Sequence, residues 1–341
     1  MEITIHQPQI ILELGHRSNQ EDSVYPHIDN ATIENRLFIL CDGMGGHENG
    51  EVASQLVCEV LSEHIHKLWD RGIFKDDILQ HALVQVGQRI DEYDNDSFRK
   101  MGTTMTLLCL HQNGATMAHI GDSRIYHIRP SEHRILYKSR DHSVAYDLFL
   151  AGEIGIEELD TYKKNLITRA IMPGQEGKYK VDIVHTTDIE PGDYFMLCSD
   201  GMLEQMKDQQ LLSMYESGLS DVQIREHLIS QTIDNRDNHS AIFFQIKSVI
   251  PELSDNQAPD DEQTSNSNAL IWESRNHNIA SNNRQPSTID KVIEFESRHK
   301  QYPTTISWYF IPLLMAIGLT LALIMIFSII YILWTKNICS L

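Results

Sequence analysis

The sequence predicts an α+β fold, a four-layer α-β-β-α sandwich with two antiparallel sheets, followed by a single transmembrane helix. Short apolar runs bounded by turn-forming residues predict the strands, and segments with helical periodicity lie between some of them. Helices inserted between strands that pair in hairpins are expected to pack on the outer faces of the sheets. A long uncharged apolar segment near the C-terminus predicts the membrane span.

Six apolar runs predict the strands. They cover residues 37–41, 103–110, 116–120, 125–128, 194–198 and 241–246. A Gln-Asn-Gly sequence between the second and third runs predicts an antiparallel hairpin. Apolar residues that recur on one face predict helices over residues 51–70 and 76–94, and further short helices are expected within residues 203–229. These elements define a folded domain over residues 1–247.

The C-terminal region predicts a membrane anchor. Residues 305–335 contain no charged side chain and are dominated by Ile, Leu, Met, Phe and Ala. About 20 helical residues cross the hydrocarbon core, so this segment is long enough to span it. Basic residues are more numerous before the segment than after it, which places the preceding domain in the cytoplasm. We therefore expect a single-pass cell-membrane protein with a flexible polar linker at residues 248–304 and a short tail at residues 336–341.

The acidic composition excludes a nucleic-acid binder. The chain has 28 Lys and Arg against 48 Asp and Glu, a formal charge of −20, whereas nucleic acids are bound by clustered cations that neutralise phosphates. Residues 248–303 contribute −4 and the remaining C-terminal segment +1, so residues 1–247 carry −17. Five cysteines without a Cys-x-x-Cys pair indicate free thiols rather than disulfides or a zinc site.

Two predicted strands end in the same dipeptide, Asp42-Gly43 and Asp200-Gly201. One such pair usually marks a plain turn. Two of them, together with acids elsewhere in the predicted loops, indicate a site for hard cations, which take oxygen ligands. The further acids are Glu21, Asp22, Asp122 and Asp237. Clustered carboxylates repel one another, so a fold tolerates them when cations, bases or water screen the repulsion.

Eight short motifs occur in a specific order along residues 1–247. They are Arg17-Ser-Asn-Gln-Glu-Asp-Ser, Asp42-Gly-Met-Gly-Gly-His, Gly102-Thr-Thr, Gly121-Asp-Ser-Arg, Asp141-His-Ser, Thr168-Arg-Ala, Ser199-Asp-Gly and Asp237-Asn. This series resembles the type 2C (PPM) family of metal-dependent serine/threonine protein phosphatases, and in particular its bacterial branch. The resemblance implies hydrolysis of phosphoserine and phosphothreonine in proteins, which would reverse the action of a cognate Ser/Thr kinase at the cytoplasmic membrane face.

The resemblance also implies a centre of two Mn²⁺ or Mg²⁺ ions. Asp42 would bridge the two ions. Glu21 and the Gly43 carbonyl would serve one ion, and Asp200 and Asp237 would serve the other. A hydroxide that bridges the ions would attack phosphorus in line.

Further residues are assigned around this centre by the same resemblance. Asp122, together with Asp200, would hold a loosely bound third ion. Asp22 and Glu204 would lie next to the ligands without binding an ion directly. Asp22 would orient waters or ligands.

The resemblance assigns substrate binding to Arg17 and, with a structural role equally open, to His47. Arg17 would hold two phosphate oxygens through its planar guanidinium. Eukaryotic members have a histidine directly after the first Asp-Gly, but this chain has Met44, which cannot donate a proton. We therefore expect a metal-bound water or solvent to protonate the leaving group. Residues 141–168 resemble the mobile flap of bacterial members.

Three other functions are alternatives to a membrane-anchored protein phosphatase. A non-catalytic relative would be expected to have lost a bridging acid, whereas Asp42, Asp200 and Asp237 are all present. A membrane-tethered hydrolase of a small phosphoester remains open, because a metal centre recognises phosphate and leaves the rest of the substrate to the surrounding surface. A calcium-binding adhesion module conflicts with the predicted cytoplasmic topology.

Overall fold

The computed structural model describes residues 1–44, 49–93, 101–159 and 166–251. In these residues the strands are β1 Glu2–Ile5, β2 Gln9–Glu13, β3 Asp22–Tyr25, β4 Leu37–Met44, β5 Gly102–Thr103, β6 Met105–His111, β7 Gly114–Ile120, β8 Arg124–Arg129, β9 Arg134–Lys138, β10 Asp182–Thr186, β11 Tyr194–Cys198 and β12 His239–Ile250. The α-helices are α1 Asn49–Leu68, α2 Asp76–Tyr93, α3 Val144–Leu150, α4 Ile156–Leu159, α5 Asp208–Tyr215 and α6 Asp221–Thr232.

The strands of the described residues form two antiparallel sheets of six strands each. In the first sheet the order is β1-β12-β11-β8-β9, and β2 also pairs with β12. β12 can take both N-terminal strands because it is twelve residues long: β2 pairs with its first part and β1 with its last. In the second sheet the order is β10-β7-β6-β4-β3, and β5 pairs with β4.

The alternation of side chains along β4 explains how the layers stack. Successive strand residues point to opposite faces of a sheet, and all of Leu37 to Cys41 are buried. Leu37, Ile39 and Cys41 belong to the apolar cluster that α1 and α2 cover. Phe38 and Leu40 belong to the cluster between the two sheets. A strand buried on both faces reads as a continuous apolar run, which is why the sequence reveals it.

Three apolar clusters fill the spaces between four layers. The first lies between the helix pair α1 and α2 and the second sheet. The second lies between the two sheets, where the rings of Phe38 and Phe244 are 4.5 Å apart. The third joins the outer face of the first sheet to α5 and α6, with Tyr194 against Tyr215. Helices therefore cover both outer faces, and the predicted α+β sandwich is confirmed for the described residues.

The C-terminal predictions fall largely outside the described residues. β12 continues to Ile250, three residues beyond the predicted domain end, because its last residues pair with β1. Within the part of the chain that the structure describes, no helix has the length and apolar character needed to cross a membrane. The predicted span at residues 305–335, the tail at 336–341 and most of the linker at 248–304 lie outside that part.

Candidate metal centre

Pairing of β3 with β4 brings the first two acids together. Asp22 lies directly opposite Asp42 in the register of these strands. Two threonines fix the Asp42 backbone: its N–H donates to Thr104 Oγ1 at 3.0 Å, and Thr103 Oγ1 donates to its carbonyl oxygen at 2.8 Å. The threonines of the Gly-Thr-Thr motif thus act through backbone contacts that hold the predicted bridging residue in place.

The other Asp-Gly pair meets the start of β12. Asp200 follows β11, and Gly201 packs so tightly on the chain before β12 that a β-carbon would lie 2.0 Å from Asn238 O and 3.4 Å from Asp237 Cβ. Asn235 Nδ2 donates to Gly201 O at 2.7 Å and joins the same two segments. Glycine is required at position 201 because any side chain would push Asp200 and Asp237 apart.

Glu21 and Gly43 come together at the N-terminus of α1. Gly43 N–H donates to Glu21 O at 3.0 Å, and Glu21 N–H donates to Asn238 Oδ1 at 2.8 Å. A β-carbon on Gly50 would lie 2.9 Å from Glu21 Oε1 and 3.0 Å from the carbonyl carbon of Gly43. Gly50, which is not among the predicted site residues, therefore provides the space in which two predicted ligands of one ion meet.

Asp122 reaches the cluster from the loop between β7 and β8. It is buried, and the preceding Gly121 has a φ of +105°, a conformation that favours glycine. Gly121 also packs directly on Thr104, where a β-carbon would lie 2.6 Å from Cγ2. Thr104 Oγ1 in turn lies 2.7 Å from Ser123 Oγ. The Asp122 loop is thus packed against the same threonine that holds Asp42.

The carboxyl groups of this cluster perturb one another strongly. Burial, reinforced by the charges of Asp22, Asp200 and Asp122, raises the pKa of Asp42 well above its ordinary value. Burial and the Asp200 charge raise the pKa of Asp122 to about 8. Burial and then the Asp237 charge raise the pKa of Asp200, although a hydrogen bond with Asp42 lowers it. The possible ligands are all oxygens, and their negative charge exceeds what the nearby arginine side chains compensate, so the cluster fits hard divalent cations.

Asp22 lies behind these residues. Its Oδ2 accepts a hydrogen bond from Ser199 Oγ at 2.9 Å, whereas its buried Oδ1 has no hydrogen-bond partner. Burial raises its pKa to about 7 against the hydrogen bond from Ser199, and the charges of Asp200 and Asp237 raise it further. An orphaned buried oxygen in an acidic cluster is a further sign that cations or ordered water belong there.

Arg17 and Glu204 are placed at the rim of the cluster. Arg17 Nη2 donates to Asp237 Oδ2 at 2.6 Å, and its side chain is half exposed. Glu204 is exposed, and its Oε2 accepts the backbone N–H of Arg236 at 3.0 Å. The geometry thus places Glu204 as a brace for the loop before Asp237. His47, the other predicted substrate contact, lies outside the described residues.

A second group of metal-binding residue types was not predicted. Donor atoms of His119, His142 and Asp182 lie within 4.8 Å of one another. Arg169 Nη1, however, lies 2.6 Å from Asp182 Oδ1 and 2.9 Å from His142 Nε2, and Arg140 Nη2 lies 3.6 Å from Asp182 Oδ2. Guanidinium groups already neutralise the carboxylate, so this group is an ion-pair cluster rather than a cation site.

Comparison with known proteins identifies the family. The sequence model described as protein phosphatase 2C matches residues 18–228, more than half of the chain. The chain belongs to the protein phosphatase 2C family. As a member, this protein phosphatase 2C chain is an enzyme, as predicted, and its matched segment includes every predicted metal ligand except Asp237.

Relatives and solved structures support the same assignment. Protein phosphatase PhpP of Streptococcus pneumoniae is 34% identical over 206 residues, which cover 60% of this chain and 81% of PhpP. The structure of serine/threonine phosphatase Stp1 from Staphylococcus aureus matches with a TM-score of 0.60 and 26% identity, over 73% of this chain and 98% of Stp1.

A solved structure with metal agrees with the predicted cofactor. The catalytic domain of serine threonine protein phosphatase PstP, in complex with two manganese ions, is 26% identical to this protein phosphatase 2C chain. The match covers 72% of this chain and 100% of the PstP domain, with a TM-score of 0.55.

Proposed function

We propose that this protein phosphatase hydrolyses phosphoserine and phosphothreonine in proteins and depends on two Mn²⁺ or Mg²⁺ ions. The observation that carries the proposal is the meeting of acids from five separate segments at one end of the two sheets. Asp42 is close to the other acids: its pKa is raised by burial first and then by the charges of Asp22, Asp200, Asp122 and Asp237. That position suits the residue shared between two ions.

The ligands divide into two groups around Asp42. Glu21 and the Gly43 carbonyl lie together beside Gly50 and would hold one ion. Asp200 and Asp237, brought together by Gly201, would hold the other. Bound ions of this kind lower the pKa of water towards neutrality and offset the charge of a phosphoryl group. Asp122 would hold a third ion together with Asp200. Burial and then the Asp200 charge raise the pKa of Asp122.

Arg17 supplies the phosphate contact at the rim. Its guanidinium is half exposed and already touches Asp237, so it can turn towards a phosphate while it stays at the cluster. A bidentate contact to two phosphate oxygens would orient the ester for in-line attack and neutralise part of its charge. Met44 ends β4 and has no proton to donate, so protonation of the leaving alkoxide falls to solvent at the site.

The test of substrate class uses matched peptides. Purified full-length protein is incubated with Mn²⁺ and peptides of one sequence that carry phosphoserine, phosphothreonine or phosphotyrosine, with a small aryl phosphate alongside. We expect Mn²⁺-dependent phosphate release from the first two peptides and none from the phosphotyrosine peptide. Faster turnover of small phosphoesters than of either peptide would favour the alternative of a small-molecule hydrolase.

We also propose that the chain is anchored in the cell membrane with its phosphatase domain in the cytoplasm. The uncharged apolar segment at residues 305–335 supports membrane anchoring, and the excess of basic residues before it supports a cytoplasmic domain. Phosphoproteins at the membrane and a cognate Ser/Thr kinase are then the expected partners. Fractionation tests this: the full chain should sediment with membranes, and a chain that ends at residue 304 should not. Equal distribution of both chains would contradict the anchor.

A further inference from the structure

Two consecutive residues hold both ends of the loop that carries Asp122. Arg124, at the end of this loop, donates from Nε and Nη2 to the two carboxylate oxygens of Asp141, both at 2.7 Å. His142 holds Gly121, at the start of the loop, through two hydrogen bonds. His142 is the donor in one of them and Gly121 in the other. His142 N–H donates to Gly121 O at 2.9 Å, and Gly121 N–H donates to His142 Nδ1 at 3.1 Å. The position of Asp122 is therefore set from residues 141 and 142.

The other nitrogen of the His142 ring contacts a separate part of the fold. Its Nε2 lies 3.2 Å from Asp182 Oδ2, at the start of β10, and 2.9 Å from Arg169 Nη1. Because Gly121 N–H can only donate, Nδ1 must be the unprotonated nitrogen of the neutral ring. Nε2 then carries the proton and donates it to Asp182. Arg169 Nη1 is also a donor, and it shares this carboxylate as its acceptor at 2.6 Å rather than bonding to Nε2. One imidazole thus joins the Asp122 loop to the Asp182–Arg169 ion pair.

Packing fixes the orientation of this ring. The His142 side chain is 1% exposed, and its ring stacks on His119 with centroids 4.5 Å apart and planes 11° from parallel. His119 is itself fixed through Nε2, which bonds to Arg140 O at 2.7 Å. On the backbone, Thr168 N–H donates to His142 O at 2.8 Å. The two ring nitrogens therefore have different partners that they cannot exchange without repacking.

We propose that His142 is a positioning residue for the phosphatase reaction, which fixes the Asp122 carboxylate at the metal centre through Gly121 and takes its own orientation from Asp182. The inference rests on the proposed function of Asp122 as a metal ligand. Residues that orient ligands without touching the ion typically change metal affinity or activity by about 10- to 100-fold when they are replaced. Loss of the Nδ1 contact should therefore weaken the site that Asp122 serves.

Two substitutions separate the two ring contacts. In His142→Asn the amide oxygen occupies roughly the place of Nδ1 and can still accept from Gly121, but the contact to Asp182 is lost. In His142→Gln the amide reaches towards the place of Nε2 and can keep Asp182, but no acceptor faces Gly121. We expect the glutamine variant to need about tenfold more Mn²⁺ for half-maximal phosphate release and the asparagine variant to need less than threefold more.

A measurement on the metal-free protein gives a readout besides activity. Amide hydrogen exchange in the peptide around residues 119–125 should be faster in His142→Gln than in the unsubstituted chain and little changed in His142→Asn. His227→Gln, at an exposed histidine of α6, is the matched control and should change neither exchange in this peptide nor Mn²⁺ dependence. Melting temperatures of the variants show whether each one folds.

A double substitution tests whether His142 acts through Asp122. In an Asp122→Asn background, His142→Gln should no longer shift the Mn²⁺ dependence, while the faster exchange should persist. Equal effects of glutamine and asparagine, or an undiminished shift in the Asp122→Asn background, would overturn the inference. Failure of the proposed function would be seen separately, as absence of Mn²⁺-dependent phosphate release by the unsubstituted chain.

Discussion

Replacement of Gly50 by alanine tests the arrangement of the ligands for one ion. The added β-carbon would lie 2.9 Å from Glu21 Oε1 and 3.0 Å from the Gly43 carbonyl carbon, so the Glu21 carboxylate must move. Alanine is favoured over glycine in helices by about 1 kcal/mol, which offsets part of the steric cost. We therefore expect the free energy of unfolding of the metal-free protein to change by about 1 kcal/mol or less. Displacement of one ligand should lower Mn²⁺ affinity by about tenfold or more.

The assay for this prediction is calorimetric titration of the metal-free chain with Mn²⁺, together with urea unfolding. Gly72→Ala is the matched control, because a β-carbon there would also lie 2.9 Å from a carboxylate oxygen, Oδ1 of Asp70. Gly72 follows the opposite end of the 20-residue helix α1, about 30 Å along its axis from Gly50. Unchanged Mn²⁺ affinity in Gly50→Ala, or an equal loss in Gly72→Ala, would refute the assignment of Glu21 and Gly43 to one ion.

Three further predictions concern substrate binding, stability and metal removal. Arg17→Ala should lower kcat/KM for a phosphopeptide about tenfold or more, because a charged hydrogen bond contributes about 1.5–3 kcal/mol; unchanged kcat/KM would exclude Arg17 from phosphate binding. Asp193→Asn removes the negative charge that Arg129 Nε contacts at 2.8 Å but leaves Asp188 Oδ1 at 2.9 Å from Nη2, so it should cost about 1.5–3 kcal/mol of unfolding free energy in urea, with Mn²⁺ affinity retained. In the metal-free protein, burial raises the pKa of Asp122 from 3.8 to about 8. Ionisation of this carboxyl group therefore does not lower the free energy of unfolding below pH 3.8, and lowers it progressively as the pH rises to about 8. In chelator, the free energy of unfolding should therefore fall less steeply with pH in Asp122→Asn than in the unsubstituted protein, by about 1.4 kcal/mol per pH unit over that interval. Equal pH dependence of the two proteins would contradict the raised pKa.

The sequence reveals the central strands and misses the edges. β4 and β11 are buried along almost their whole length, so each appears as an apolar run. β9 and β10 lie at sheet edges, and their side chains are partly or fully exposed, so no apolar pattern marks them. β3 is short and begins at Asp22 of the acidic cluster, where the residue type serves the site rather than the strand.

The residues of the site also divide into those that the sequence reveals and those that it does not. The two Asp-Gly pairs could be found because they end apolar runs, and the motif order supplied the remaining acids. Which acids meet depends on strand register, such as Asp22 opposite Asp42, and register is set by the whole sheet. Gly50 and His142 received no role because their effect lies in close approach to residues distant in sequence. A glycine in the first turn of a helix, or a histidine just before a helix N-cap, occurs in many proteins for reasons unrelated to a metal site. Neither position therefore indicates a functional role from the sequence alone.

Manganese titration of phosphate release tests the central claim most directly. Purified full-length protein and its Asp42→Asn variant are stripped of metal and assayed on a phosphothreonine peptide as Mn²⁺ is added. The amide keeps the size of the side chain but removes the charge that two ions would share. We predict no release without metal, saturable release by the unsubstituted protein and a loss of at least about a hundredfold in the variant. Release that is independent of Mn²⁺, or equal in the two proteins, would contradict a metal centre built on Asp42.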